Sequence, residues 1–382
     1  NGKELVAAQT FVDGNKTIAL SGIENPAYIS FRDYSFFGKI VDESLTEEEL
    51  WLQVRTDKNV VARYFAYYHL WDKEKTRLLK NPEARPDEKL IDLTMELLQD
   101  SALMSRAGTQ FLARFESVED PAFKHDYEAV YQLRKKISTA MATKHETTLK
   151  RLYAEAVQVP KAMNVSRQLN LDIKSRQLKN LCLALLSRLD TPEVHAMIRK
   201  QWNEASVASE RNLPAMLYLE SSAEDREDFI NEFREFGQQN LLRWEVFLSL
   251  MGRSDAADVI EQCKAIEAMP EFRIDQANDT RALYLGFAMN KRLSLQTPEG
   301  REYLKYIVIK TGTVNEFTTV HMLKQLAHID KLPDAQDRAA CYKLLIEIEE
   351  AFKPHKEDFP MSYNNVKRLL ETCTVAKADY ER

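Results

Sequence analysis

The feature that most constrains the fold is a spacing of apolar residues by three or four positions, which recurs from about Ser44 to the end of the chain. Residues so spaced lie on one face of an α-helix, so each segment predicts an amphipathic helix. Only 10 Gly and 12 Pro occur among 382 residues, and this scarcity of helix breakers favours long helices. The pattern gives roughly fifteen or more helices joined by short loops.

This succession of helices predicts a mainly α fold, an irregular α-solenoid of stacked antiparallel helix pairs of the HEAT or armadillo kind. No repeat of fixed sequence period is visible, so we expect the array to be irregular. Several helix starts are marked by capping patterns, in which a side chain accepts a hydrogen bond from the first backbone amides. The predicted starts are Thr46 with Glu49, Asp120-Pro121, Thr191-Pro192, Ser221 with Glu224, and Thr297-Pro298.

Two segments are rich enough in large apolar side chains to predict burial. Residues 241–251 are apolar over most of the helix circumference, as expected for a helix between two layers. An aromatic cluster covers more than one face of the helix predicted for residues 59–79 and consists of Tyr64, Phe65, Tyr67, Tyr68 and Trp71. We expect that cluster to pack in the core or at a domain interface, because base-stacking platforms normally lie in basic grooves.

The N-terminal residues have a different pattern, with period 2 in place of 3.6. Residues 5–12 and 16–20 flank an Asp-Gly-Asn turn at 13–15, which is typical of a β-hairpin. Residues 25–40 are rich in aromatic and β-branched residues and predict one or two further strands. The sequence therefore predicts a short β segment over residues 1–41, followed by a helical domain over 42–382.

Composition excludes several classes of protein. The net charge of −6 and the pI of about 5.8 argue against broad nucleic-acid binding. No apolar run is long enough to cross a membrane. The four cysteines are far apart, which favours free buried thiols and a reducing, cytoplasmic compartment. The chain starts without Met and without a signal-peptide pattern, so we expect it to be part of a longer polypeptide.

The sequence contains no complete catalytic motif. A zinc-binding helix of the H-E-x-x-H type needs two histidines four positions apart on one face. His145-Glu146 begins such a pattern, but Leu149 stands where the second histidine would be. Glycine-rich phosphate loops and the G-x-S-x-G nucleophile turn do not occur either.

Several short motifs, in preserved order along the whole chain, resemble those of one enzyme family. Each motif alone is weak, but their order makes a chance match improbable. The motifs are Ser-Phe-Arg-Asp-Tyr-Ser at 30–35, Arg-Thr-Asp-Lys-Asn at 55–59 with Ala-Arg-Tyr-Phe-Ala at 62–66, Leu-Lys-Asn-Leu-Cys-Leu at 178–183, and Asn-Asp-Thr-Arg-Ala-Leu at 278–283 with Gly-Phe-Ala at 286–288.

Together these motifs resemble the C-terminal part of a bacterial alanyl-type aminopeptidase N, a family of gluzincin zinc metallopeptidases. The resemblance implies that residues 1–41 are the last strands of a β-sandwich domain and that 42–382 form the family's helical domain. It also implies that zinc is held in an upstream catalytic domain of the same polypeptide, so that we expect no catalytic residues, metal or cofactor in this chain. In the complete enzyme a zinc-bound water would attack the peptide bond and release the N-terminal amino acid.

The resemblance further implies that the helical domain caps the active site and lines a cavity that receives peptides. Two family arginines face that cavity near the C-terminal side of the peptide. The first corresponds to Arg281, whose guanidinium could hold a carboxylate with two parallel hydrogen bonds. The second corresponds to His321, which is a weaker carboxylate ligand because it is mostly neutral at pH 7. The expected partners are therefore a peptide substrate and the upstream domain, with no nucleic acid and no membrane.

Two hypotheses for function remain at this point. The first is a part of a zinc aminopeptidase that is inactive alone. The second is a free-standing α-solenoid scaffold that binds a protein or peptide on its concave surface. The N-terminal strands and the missing Met favour the first hypothesis.

Overall fold

A computed structural model describes residues 14, 17, 27–30, 45–112, 118–158 and 164–382. The strands predicted within residues 1–41 fall almost wholly outside these residues, so the β segment and the domain boundary after residue 41 stay predictions. The chain divides into two compact units, Asn1–Tyr67 and Tyr68–Arg382.

The described part of the first unit contains helix α1 (Glu47–Thr56) and the beginning of helix α2 (Val60–Lys80). The predicted capping box is confirmed: the Thr46 side chain accepts from the Glu49 amide, and the Glu49 carboxylate accepts from the Thr46 amide. Helix α2 begins after Asn59, whose side-chain oxygen accepts from two amides of its first turn. Within the predicted aromatic cluster, Tyr67 is fully buried.

The second unit contains the remainder of α2 and sixteen further α-helices among its described residues. These helices are α3 (Glu88–Gln99), α4 (Ser101–Ala107), α5 (Tyr127–Val157), α6 (Val165–Leu186), α7 (Pro192–Glu204), α8 (Ala208–Leu219), α9 (Arg226–Gln238), α10 (Leu241–Arg253), α11 (Val259–Glu267), α12 (Ala277–Met289), α13 (Lys291–Gln296), α14 (Pro298–Gly312), α15 (Glu316–Leu323), α16 (Ala335–Phe352), α17 (Pro360–Thr372) and α18 (Thr374–Tyr380).

From α6 onward the helices of the second unit form two rows. One row contains α6, α8, α10, α12, α15 and α17, each packed on the next. The other row contains α7, α9, α11, α14, α16 and α18. Helices that are consecutive in the chain pack across the two rows, for example α7 on α8 and α16 on α17. The prediction of a mainly α, irregular solenoid of stacked helix pairs is confirmed.

Ion pairs connect successive helices of the row that begins with α7. Each pair joins residues that lie between 32 and 43 positions apart in the sequence, so the repeat length varies along the row. The extra helix α13, inserted between α12 and α14, accounts for one long repeat. This uneven length explains why the sequence shows no fixed period. The pairs are Arg199–Glu232, Arg226–Asp258, Lys310–Glu267, Lys305–Glu347, Arg301–Asp337 and Arg338–Asp379.

Three predicted helix starts are confirmed and two are wrong. Thr46, Thr191 and Thr297 each cap a helix with the side-chain oxygen. Asp120 instead accepts from the amide of Ala122 within a turn, and α5 begins seven residues later, at Tyr127.

The helix start predicted at Ser221 is wrong for the same reason as the one at Asp120, because its side chain also binds a backbone amide within a turn. Its hydroxyl accepts from the amide of Ala223 in a local turn, and α9 begins at Arg226. Ser and Asp side chains bind nearby backbone amides in turns as well as at helix starts, so the same residues fit both structures.

Two helices of the second unit carry a local irregularity. Helix α5 bends at His145 (φ −119°, ψ 24°) and continues on both sides of the bend. Helix α4 ends at Ala107, because Gly108 follows with φ of 70°. A positive φ is readily adopted by glycine and ends the helical hydrogen-bond ladder.

All four cysteines are buried and carry free thiols, as the sequence predicts. Burial raises the pKa of Cys182, Cys263 and Cys341 to about 12, so these thiols stay protonated and unreactive at neutral pH. In the described part of the chain, no helix is long and apolar enough to span a membrane.

Substitution of Gly252 by Ala tests the close contact between α10 and α12. A Cβ at this position would overlap the backbone carbonyl of Leu283, whereas a Cβ on Gly286 in the same interface would meet the Arg253 side chain at an ordinary 3.5 Å. We expect Gly252→Ala to lower the free energy of unfolding by about 1–3 kcal/mol, because a backbone cannot move aside cheaply. Gly286→Ala is the matched control. We expect it to raise the free energy of unfolding by up to about 1 kcal/mol, because alanine has a better helix propensity than glycine.

Urea denaturation followed by circular dichroism measures both variants. Equal stability of the two variants would contradict the close approach at Gly252.

Candidate functional site

The first turns of α10, α12, α15 and α17 lie side by side along one edge of their row. Side-chain contacts join each of these helices to the next. Asn278 of α12 donates to Glu245 of α10 at 2.7 Å. Thr280 of α12 contacts Thr318 of α15 at 3.4 Å, and the amide of Ser362 in α17 donates to Glu316 of α15. We call the first two turns of these four helices the amino-terminal edge.

Arg281 lies in the second turn of α12 and is exposed. Its Nη2 donates to the side-chain oxygen of Asn278 at 2.9 Å, while the amide nitrogen of Asn278 donates to Glu245. Asn278 therefore lies between the guanidinium of Arg281 and the carboxylate of Glu245, and it accepts from only one nitrogen of the guanidinium. The remaining N–H groups of Arg281 can bind another acceptor.

His321 lies on α15 and is half-buried. Its Nδ1 lies 2.8 Å from the carbonyl oxygen of Phe317, and its ring packs on the Phe317 ring with 4.4 Å between centroids. Because a carbonyl only accepts hydrogen bonds, Nδ1 carries the proton and Nε2 is the acceptor of the neutral ring. Neutral His321 can therefore accept a hydrogen bond at Nε2, and protonated His321 can donate one.

The structure places both predicted site residues on the amino-terminal edge. Arg281 follows Thr280 directly, and His321 lies one turn after Thr318. These two threonines are in contact, and Asn315 at the start of α15 also donates to Thr280 at 3.4 Å. Residues 40 positions apart in the sequence thus lie on neighbouring helices, although their role in substrate binding stays a prediction.

Large apolar side chains are exposed along the same edge. Leu241 and Leu242 at the start of α10 are 79% and 76% exposed, and Phe317 is 59% exposed. The prediction that residues 241–251 form a helix buried between layers is therefore wrong at Leu241 and Leu242. Trp244, Phe247 and Leu248 of the same helix are buried.

Sequence reasoning missed two residues that organise this edge. Glu245 and Asn278 form the hydrogen-bonded pair that holds the Arg281 side chain. Asn278 lies three positions before Arg281, within one helical turn, so the spacing in the sequence could have indicated the contact. Glu245 lies 33 positions before Asn278, and only the packing of α10 on α12 brings the two side chains together.

The incomplete zinc motif does not form a metal site. His145 lies 2.9 Å from Asp92 and the Leu149 side chain is fully buried. A hydrogen bond from Lys144 holds the pKa of Asp92 below its ordinary value against the opposing effect of burial, and a hydrogen bond from His145 lowers that pKa further. Across the described residues, no three His, Cys, Asp or Glu side chains lie close enough together to hold a metal ion.

A family model described as "Domain of unknown function (DUF3458_C) ARM repeats" matches residues 47–352. The match covers most of the chain, and the chain belongs to this family. The ARM repeats in the description agree with the two rows of stacked helices seen in the structure.

Two proteins that carry the name aminopeptidase are similar to this chain. Aminopeptidase N of Escherichia coli (strain K12) is 23% identical over 222 residues, which are 58% of this chain and 24% of the relative. The crystal structure of Legionella pneumophila aminopeptidase A in complex with aspartic acid has a similar fold, with a TM-score of 0.72 and 17% identity. That similarity covers 86% of this chain and 39% of the Legionella chain.

The resemblance to the C-terminal helical part of an aminopeptidase, inferred from the sequence motifs, is confirmed by these three matches. The chain spans less than half of the length of either relative.

Replacing Leu241 and Leu242 by serine tests whether the amino-terminal edge is exposed. We expect the double variant of this chain to unfold within about 0.5 kcal/mol of the wild type, because exposed side chains contribute little to stability. Leu248→Ala on the same helix is the control, and its fully buried site should cost about 2–5 kcal/mol. Differential scanning calorimetry gives both values, and a large loss in the double variant would mean that these leucines are covered.

Proposed function

We propose that this chain is the helical domain of a zinc aminopeptidase that removes N-terminal amino acids from peptides. The family match over residues 47–352 supports this proposal, together with the two relatives that carry the name aminopeptidase. The helical domain would cap the active site and line the cavity through which the peptide enters. The remaining parts of the polypeptide would then complete the enzyme.

The observation that carries the proposal is the position of Arg281 on an edge that is both apolar and hydrogen-bonding. A peptide offers apolar side chains and a C-terminal carboxylate. The exposed Leu241, Leu242 and Phe317 can pack against the side chains, while the guanidinium can bind the carboxylate with two hydrogen bonds. His321, one helix further along, would contact the same part of the peptide.

In this proposal the catalytic zinc is held upstream in the same polypeptide, where it would supply a water activated for attack on the peptide bond. The described residues of this chain do not provide three ligands for it. Their contribution would be to bind the peptide, to orient its C-terminal side and to limit access of water. A cytoplasmic location, expected from the free thiols, belongs to the same proposal.

Arg281→Ala in the full-length enzyme should raise KM for a tripeptide by about ten-fold or more, because a charge-assisted hydrogen bond to carboxylate is lost. KM for an amino-acid anilide, which has no carboxylate, should stay within about two-fold. Steady-state kinetics on the two substrates measure the difference. Arg273→Ala is the matched control, since Arg273 is exposed just before α12 and its guanidinium forms an ion pair with Asp275.

His321→Arg should have the opposite effect in the same assay. A permanently charged guanidinium binds a carboxylate more strongly than a mostly neutral imidazole, so KM for the tripeptide should fall. Equal changes of KM on both substrates, in either variant, would refute a role at the peptide's C-terminal side.

The 382-residue chain assayed alone with an alanyl chromogenic substrate and added zinc should give no turnover. Its sequence lacks H-E-x-x-H, with Leu149 in place of the second histidine. The full-length polypeptide under the same conditions is the positive control. Robust turnover by the isolated chain would refute the assignment of catalysis to another domain.

A second candidate function is a scaffold that binds a protein or peptide without cleaving it. The exposed Leu241, Leu242 and Phe317 favour this candidate, because apolar side chains grouped on one surface mark interaction sites. The candidates differ in the activity of the full-length polypeptide. Peptide binding without release of amino acids would favour the scaffold.

A further inference from the structure

A cavity of about 370 Å³ lies between helix α5 and the junction of α12 with α13. One wall consists of Tyr127, Tyr131 and Arg134, which follow one face of α5 at spacings of four and three. The opposite wall consists of Arg253 at the end of α10 and the segment Met289–Arg292. The cavity therefore lies at the carboxyl ends of α10 and α12, whereas Arg281 lies near the amino end of α12.

The lining of this cavity is strongly basic, although the whole chain is acidic. Four of its side chains are cations, Arg134, Arg253, Lys291 and Arg292, and one is a carboxylate, Asp255. Arg292 is the only one of the four with ion pairs in the described part of the chain. It binds Asp255 at 2.9 Å and approaches Glu128 at 3.6 Å.

The other three cations make no hydrogen bond or ion pair within the described residues. Lys291 is the most informative of them, because it is half-buried and desolvation lowers the pKa of its amine. Its Nζ lies 5.6 Å from the centroid of the Tyr127 ring, in place of a carboxylate. A partly desolvated cation without a counter-ion is unfavourable, and a bound anion would relieve that cost.

The walls of the cavity are held in place by contacts of their own. The Arg292 guanidinium covers the Tyr131 ring at 4.2 Å and also binds Asp255. The amide of Asn290 donates to Asp255 at 3.0 Å and to the carbonyl of Ser254 at 3.2 Å. These contacts already hold the wall of the cavity in place, so little conformational entropy is lost when a ligand binds.

More positive charge surrounds the Tyr127 side of the cavity. His125 lies 3.1 Å from the Tyr127 hydroxyl, and its ring is 5.5 Å from that of His328. Burial lowers the pKa of His125, and the neighbouring His328, Lys331 and Lys291 lower it further. The positive charges of Lys331 and Lys291 disfavour a further positive charge on His125, so the potential on this side of the cavity favours anions.

We propose that this cavity binds a small dianion that carries phosphate or carboxylate groups on a planar body. Arg134, Arg253 and Lys291 would bind the anionic groups, since guanidinium and ammonium groups are the usual ligands of both. The edges of the Tyr127 and Tyr131 rings, on the α5 wall, would pack against the planar part. The volume matches the lower range of small-molecule sites. The proposal does not depend on cleavage of peptides.

Isothermal titration calorimetry on the full-length polypeptide tests the site with three probes, inorganic phosphate, phenyl phosphate and phthalate. We expect saturable binding of phenyl phosphate or phthalate, with inorganic phosphate weaker because it has no ring to pack. Stronger binding of phenyl phosphate would indicate a natural ligand that carries phosphate. Stronger binding of phthalate would indicate one that carries carboxylates. Benzyltrimethylammonium, a cation with the same ring, should not bind.

Lys291→Gln and Arg253→Gln should each raise Kd by about ten-fold, since each removes one charge-assisted hydrogen bond. Arg253 is exposed, so its variant does not endanger the fold. Lys343→Gln is the matched control, because Lys343 is exposed on α16 and does not line the cavity.

Two results would overturn the proposal. One is a titration in which none of the three anions gives a saturable binding curve up to about 10 mM, a concentration at which even weak ligands bind. The other is unchanged affinity in Lys291→Gln and Arg253→Gln.

Discussion

The arrangement of the helical rows depends on half-buried cations that pair with carboxylates of the next helix. Arg226, Arg301 and Arg338 are only 13–17% exposed, and each binds an aspartate on the neighbouring helix. A partly buried charge that loses its partner is strongly destabilising, so a shift in register between two helices would be costly. Apolar burial supplies most of the driving force, and these pairs fix which turn of one helix faces which turn of the next.

Parallel stacking within one row gives the molecule two chemically different edges. The amino ends of α10, α12, α15 and α17 carry Arg281, His321 and exposed apolar side chains. The carboxyl ends of α10 and α12 contribute Arg253 and Lys291 to a basic cavity with α5. Because every helix in the row points the same way, residues far apart in sequence gather on one edge. The same geometry would allow separate ligands on the two edges.

Sequence reasoning was most successful where a local interaction is unique to one structure. Thr191 and Thr297, each followed by proline, mark helix starts because the threonine oxygen accepts from an amide of the first turn. Proline alone does not decide the matter, since Asp120 is also followed by proline. It failed at Asp120 and Ser221, whose side chains bind amides in turns. It also failed at Leu241, because periodicity shows that a residue is apolar and cannot show where the covering helices end.

The sequence by itself determined the helical class, the irregular solenoid, the buried cysteines and the resemblance to aminopeptidases. These follow from local periodicity, capping and ordered motifs, all of which act within one or two helical turns or can be compared directly. Only the tertiary structure decided that Glu245 binds the Asn278 side chain, and that Lys291 lies beside Tyr127 with no carboxylate partner among the described residues. These two contacts join residues 33 and more than 160 positions apart, and they depend on the packing of helices on one another, which no local pattern encodes.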